Sequence, residues 1–133
     1  LQCAVLGTKC GVDWDTCASW ALKAYEIDNR VEPLLFLVEG YNKRNQVDLV
    51  YIFAKLACDL KFPESALLFV EMKSYEYTRW HLLGICAYYY WKKRRDDEAL
   101  RLGEEACRIA IEVGYNEELD RSNLKWYENA KTS

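Results

Sequence analysis

The chain is poor in the residues that punctuate β-structure. Its 133 residues include two prolines and six glycines, and an all-β domain of this size needs more turn residues than that. It lacks an apolar run approaching the ~18 residues of a membrane span. It also lacks the charged-then-apolar leader of a secretory signal. Neither sign of charge dominates: 18 Lys and Arg oppose 21 Asp and Glu, a formal net charge of −3. That balance excludes a disordered acidic tail and a basic nucleic-acid arm resting on bulk charge. No G-x-S-x-G, H-E-x-x-H or Gly-rich phosphate loop occurs, so the common nucleophile, zinc and phosphate motifs are missing. What is present is apolar and aromatic. Hydrophobic residues make up 51% and aromatics 14%, with ten tyrosines and five tryptophans. Such side chains carry large buried area or line a binding surface. The expectation is one all-α domain over 1–133 with a real core. The chain begins at Leu1 and holds its single methionine at Met72, which suggests an excerpt of a longer protein.

The cysteines are Cys3, Cys10, Cys17, Cys58, Cys86 and Cys107. An even number raises the question of a disulfide framework. The absence of a leader, of an N-x-[ST] sequon and of any C-x-x-C pair points instead to free thiols acting as small apolar residues. The one histidine, His81, lies five residues from Cys86. A helix of 3.6 residues per turn puts those two on different faces, so no zinc site is expected. His81 reads as a structural or solvated side chain rather than a general base.

Helical signals run the length of the chain. Asp13 or Asp15 can cap a helix to about Ile27, with Trp14, Cys17, Ala21 and Ala24 recurring at threes and fours. Asn29 precedes Glu32 at capping-box spacing, and Pro33 suits an early turn, so a helix is expected from about Glu32 to Lys43. Another should run from about Val47 to Leu60. The stretch Lys61–Lys73, with Pro63 and the apolar run Ala66-Leu67-Leu68-Phe69-Val70, reads as an irregular insertion. A long helix is expected from Ser74 to Lys93 and another from Asp96 to Val113, with Gly114 as C-cap. A last helix starts near Asn116, its buried stripe being Leu119, Trp126, Tyr127 and Ala130.

These helices share a register. Leu34, Leu37, Val38, Tyr41, Val50, Ala54 and Ala57 have the same internal spacing as Leu83, Cys86, Ala87, Tyr90, Ala99, Gly103 and Ala106. Leu1, Ala4, Val5, Thr8, Cys17, Ala21 and Ala24 repeat it once more. This pattern of large and small residues resembles the tetratricopeptide repeat of ~34 residues. Small residues let two antiparallel helices approach, and each pair stacks on the next. No copy has the family's first tryptophan or its closing proline. The resemblance implies a solenoid of antiparallel helix pairs: about three degenerate repeats, an insertion between the second and third, and a C-terminal capping helix.

A narrower resemblance lies in Ala21-Leu22-Lys23-Ala24-Tyr25-Glu26-Ile27, Glu32-Pro33-Leu34, Leu67-Leu68-Phe69-Val70-Glu71, Tyr75-Glu76-Tyr77 and Ala87-Tyr88-Tyr89. These phrases resemble the repeat segment that follows the catalytic domain in certain bacterial and viral family-2-type glycosyltransferases. The resemblance implies the accessory part of such an enzyme. The alternative is a direct part in transfer from nucleotide-sugars. Asp13-Trp14-Asp15 has the D-x-D spacing such enzymes use to hold a divalent cation. Here it opens a helix, where capping and the macrodipole explain two acids. No metal or cofactor is expected.

The sharpest charge feature is Lys92-Lys93-Arg94-Arg95-Asp96-Asp97-Glu98. It reads as cations closing one helix and anions opening the next, and the acidic half argues against nucleic acid. By the tetratricopeptide resemblance, the first helix of each pair lines a concave binding face. That register puts Leu35, Glu39 and Asn42 there from the second pair, and Tyr88, Trp91 and Lys92 from the third. The expected function is a non-catalytic, cytoplasmic interaction module. Its partner would be a protein segment or an adjacent domain of the parent chain, with no membrane involved.

Overall fold

The computed structural model describes residues 1–61 and 72–132. The described residues are all helical, in the order α1 (Gln2–Lys9), α2 (Trp14–Ile27), α3 (Val31–Lys43), α4 (Val47–Asp59), a π-helical stretch (Ser74–Thr78), α5 (Arg79–Arg94), α6 (Asp97–Val113) and α7 (Glu117–Thr132). None of these helices is long and apolar enough to cross a membrane. The chain forms two compact units, Leu1–Glu71 and Met72–Ser133. The expected insertion over 61–73 falls mostly outside the described residues.

In the first unit each helix packs on the next in sequence, α1 on α2, α2 on α3 and α3 on α4. Asp13 is the N-cap of α2, its carboxylate accepting from Thr16 N at 3.0 Å and from Thr16 Oγ1 at 2.8 Å. Those two bonds, the side-chain one first, hold the Asp13 carboxyl below its ordinary value. The expected capping box at Asn29 does not form. The N-cap of α3 is Arg30, with no side-chain cap bond. Helix α3 is buried at Val31, Leu34, Leu35, Leu37 and Val38, almost all round, because α2 and α4 cover it from two sides. Trp14 locks α2 to α3. Its indole fills the notch left by the missing side chain of Gly40, where a Cβ would overlap it. Tyr41 meets that indole edge-on at 5.2 Å, and Arg44 lies over it at 4.4 Å.

In the second unit α5 packs on α6, and α7 lies against both. Asp96 caps α6 by accepting from Glu98 N at 2.9 Å. Gly114 ends α6 at φ 84°, a left-handed conformation that suits glycine. The shared-register positions Leu83, Cys86, Ala87, Ala99, Gly103 and Ala106 are buried, and so are Leu34, Leu37, Val38, Val50, Ala54 and Ala57 in the first unit. Thr8, by contrast, is exposed. The small positions set the helix spacing. Gly103 receives the phenol end of Tyr127, and a Cβ on Gly84 would lie 2.8 Å from Cys107 Sγ. None of the six cysteines is in a disulfide, and Cys17, Cys58, Cys86 and Cys107 are buried. Burial, aided by the Asp120 and Glu104 charges, pushes the Cys107 thiol up to about 12, so it packs as a neutral group.

Two expectations need correction here. The stretch before α5 does not continue as a plain α-helix: Ser74–Thr78 is wound as π-helix, a form that inserts an extra residue per turn. Of the apolar stripe expected on α7, Leu119, Trp126, Tyr127 and Ala130, Tyr127 alone is fully buried, and Trp126 and Ala130 are half-buried. Leu119 is 43% exposed, while Asp120, Asn123, Leu124 and Tyr127 are buried. Polar partners across the unit, described below, turn that face inward.

Two outcomes test this packing. Ala99 is fully buried on α6, so Ala99→Leu should overpack the α5–α6 contact and cost ~1–3 kcal/mol in urea unfolding. Glu104 on α6 lies 2.5 Å from Lys131 Nζ of α7 and 3.1 Å from Arg108 Nη2. The Lys131 hydrogen bond, then that of Arg108, hold its carboxyl below the ordinary 4.5. A lowered folded value means stability that is present above pH 4.5 and lost as pH falls through the folded value. Glu104→Gln should therefore lower stability by ~0.5–1.5 kcal/mol at neutral pH. The gap from the parent protein should close as the pH is taken down from 4.5, measured by thermal unfolding across pH.

Candidate functional site

Three of the residues expected on a binding face stand together. Tyr88, Trp91 and Lys92 fall at i, i+3 and i+4 on α5, the spacing that shares a helix face. With Arg95, Asn129 and Ala130 they line a hollow of about 340 Å³. Two helices build it. The last turn of α5 and its C-cap give one wall, and the last turns of α7 give the other. Arg95, the C-cap, is left-handed at φ 55° and ψ 36°, and its backbone N–H donates to Trp91 O at 2.6 Å.

Rings fix the aromatic wall. Tyr88 meets Trp126 at 5.4 Å, Tyr127 edge-on at 5.7 Å and Trp91 at 5.9 Å between centroids. Edge-on and tilted pairs at such distances each add ~0.5–1.5 kcal/mol beyond their buried area. Both wall rings are half-buried, and Lys92 and Arg95 are exposed. Each cation rides over one of the rings: Lys92 Nζ is 5.6 Å from the Tyr88 centroid, and the Arg95 guanidinium is 4.7 Å from that of Trp91.

The other three expected residues lie in the first unit. Glu39 and Asn42 are exposed on α3, whereas Leu35 is buried and belongs to the packing of that unit. A wider hollow of about 500 Å³ in the same unit is lined by Leu1, Gln2, Ala24, Asp28, Arg30, Glu32 and Pro33. There Arg30 and Asp28 pair with each other at 2.6 Å.

A second constellation was not legible in the sequence. Asp120 of α7 is 1% exposed. Tyr77 Oη donates to its Oδ2 at 2.8 Å, and His81 Nδ1 lies 2.6 Å from its Oδ1. A carboxylate accepts, so Nδ1 carries a hydrogen toward it. Tyr77 and His81 stack at 5.3 Å, and Tyr115 covers Tyr77 at 5.2 Å. Burial first, then the Asp120 carboxylate, holds the Tyr77 phenol well above its ordinary range, so it remains a donor. The π-helical stretch brings Tyr77 to this point. His81 thus has a defined place as one half of a carboxylate–imidazole pair. Among the described residues no three His, Cys, Asp or Glu side chains gather as a metal site. Asp13 is engaged by Thr16 on both oxygens, as the cap of α2.

No spacing rule joins His81 to Asp120, which are 39 positions apart. The signal that could have found Asp120 is its phase. It precedes Leu124 by four and Tyr127 by seven, and so shares the face they bury.

Asp120→Ala should cost ~2–4 kcal/mol, because it strands the buried Tyr77 hydroxyl and the His81 Nδ1–H together. Tyr77→Phe removes one donor and should cost ~1–2 kcal/mol. Urea midpoints would give the order, and a smaller loss for Asp120→Ala than for Tyr77→Phe would contradict the role assigned to this carboxylate.

The chain was compared with family models, with curated proteins and with solved structures, and it matches none of them.

Proposed function

We propose that the chain is a non-catalytic helical-repeat module that holds a protein segment, supplied by a partner or by a neighbouring domain of its own parent chain. In this reading the helix pairs are degenerate tetratricopeptide-like repeats. The burial of the small register positions in both units supports it, since Cys17, Ala54, Ala57, Ala99 and Ala106 are at most marginally exposed. Close helix approach at small residues is the physical basis of such repeats.

The observation that carries the reading is the hollow at Tyr88, Trp91, Lys92, Arg95 and Asn129. An aromatic wall with a polar, charged rim is the composition of a protein-docking site, where aromatic and Arg side chains dominate the energy. No cofactor enters this reading, and the polar atoms best placed for chemistry, those of Tyr77, His81 and Asp120, are engaged with one another.

A displayed library of random peptides, selected on the immobilised chain, tests the proposal. Selected peptides should lose at least tenfold in affinity to a Trp91→Ala variant whose helical circular dichroism is unchanged. Turnover of a nucleotide-sugar by the chain with Mn²⁺ would overturn the proposal, as would selected peptides that bind Trp91→Ala as well as the parent.

A further inference from the structure

Helix α1 packs on α2 with one side, where Ala4 and Gly7 are buried. Its other side carries Cys3, Leu6 and Cys10. Both cysteines are exposed, and Leu6 is 59% exposed. Spacings of three and seven residues keep the three side chains within about 60° of arc, so they form one stripe. The helix bears a single charged side chain, Lys9, and no acid. An exposed leucine alone is ordinary. Two thiols set evenly on either side of it are not.

Those thiols cannot serve each other. Seven residues of helix separate their Cα atoms by about 10.5 Å, and a disulfide spans ~4.4–6.8 Å. They can serve a second copy of the chain. Two α1 helices laid antiparallel across a twofold axis at the middle of the stripe bring Cys3 of each opposite Cys10 of the other. Both cysteines lie about 5.3 Å along the helix from that midpoint, so the stripe is self-complementary. The two Leu6 side chains then meet beside the axis. Helix axes ~10 Å apart, with Cα atoms at a radius of ~2.3 Å, leave about 5.4 Å between facing Cα atoms, within the disulfide range. The helix is eight residues long, about 12 Å. A crossing of that length by itself falls short of the ~1,200 Å² that a stable interface buries, so covalent bonds have to hold it.

We infer that α1 is a redox-controlled pairing face: a second copy of the chain docks antiparallel on the stripe of Cys3, Leu6 and Cys10, and two Cys3–Cys10 disulfides hold it. Each bond forms by exchange with a disulfide oxidant such as oxidised glutathione. Cys3 Sγ attacks the oxidant and one glutathione thiol leaves; Cys10 Sγ of the second copy attacks the mixed disulfide and the other leaves. Two protein thiols are oxidised, one disulfide is reduced, and the two departing thiols take up both protons. Excess reductant reverses the exchange and separates the copies. The buried Cys17, Cys58, Cys86 and Cys107 take no part. The face lies in the first unit and does not rest on the docking reading above.

The test treats the reduced chain with oxidised glutathione and follows it by light scattering and by mass spectrometry of non-reduced digests. A covalent dimer should form, with Cys3 of one copy joined to Cys10 of the other, and dithiothreitol should return it to monomer. Cys3→Ser alone and Cys10→Ser alone should each cut the dimer at least tenfold, because each removes one half of both bonds. Mixing the two variants should restore a dimer joined by one bond. Leu6→Asp, at an exposed position, should leave the circular dichroism unchanged and slow dimer formation at least tenfold. Dimers of either serine variant as abundant as the parent's would overturn the antiparallel pairing. Glutathione adducts without dimer would overturn the second copy as occupant. Parent-like dimerisation of Leu6→Asp would mean chance collision of exposed thiols, and would overturn the face itself.

Discussion

A carboxylate shut away from water must be met by donors, or folding forfeits several kcal/mol. Asp120 is in that position, and the second unit is arranged around meeting it. One donor comes from the π-helical stretch, Tyr77, and one from the first turn of α5, His81. The three groups hold their angles as well as their distances, since a stack of Tyr77 on His81 leaves little rotational slack. Because α7 is rigid, fixing Asp120 near its start fixes the whole helix in rotation and in height. Trp126 then reaches Tyr88, and Asn129 and Ala130 arrive opposite Trp91. The hollow at the far end of α7 is therefore set by a polar contact near its beginning.

Glycine completes what the carboxylate begins. Tyr127 lies two turns beyond Asp120 and is wholly buried. Its hydroxyl donates to Gly84 O at 2.6 Å, and its ring end occupies the space over Gly103. The same device appears in the first unit, where Trp14 fills the notch at Gly40. In both places a large ring needs a residue without a side chain opposite it, and in both the ring ties one helix to the next. Packing at close range of this kind tolerates little volume change.

Much of the helical layout was written locally. Asp13, Asp96 and Gly114 mark their helix ends by side-chain chemistry or by φ, and the three-and-four spacing of small residues located the packed faces. Tyr88, Trp91 and Lys92 were legible as a group because one helix carries all three. Their opposite wall was not, since Asn129 and Ala130 come from another helix with no local tie to them. Arg95 was visible as part of a charge run, but its place over Trp91 depends on the left-handed turn after α5. The misreading of α7 has the same origin. An apolar-first rule puts Leu119 inside, whereas two donors that lie some forty residues upstream, Tyr77 and His81, turn Asp120 inside and leave Leu119 in water. Asn29 failed as a cap because the chain enters α3 one residue later, at Arg30.

Among the described residues four have a positive φ: Gly11, Asn45, Arg95 and Gly114. Glycine bears no penalty there and asparagine a small one. Arginine at φ 55° is the costly member of the set. A glycine in its place would relax the backbone and sharpen the turn, and it would also take the guanidinium away from Trp91. Stability and charge at this corner therefore pull in opposite directions. A variant selected for heat resistance alone would find its easiest gain at the same residue that gives the hollow half its cationic rim.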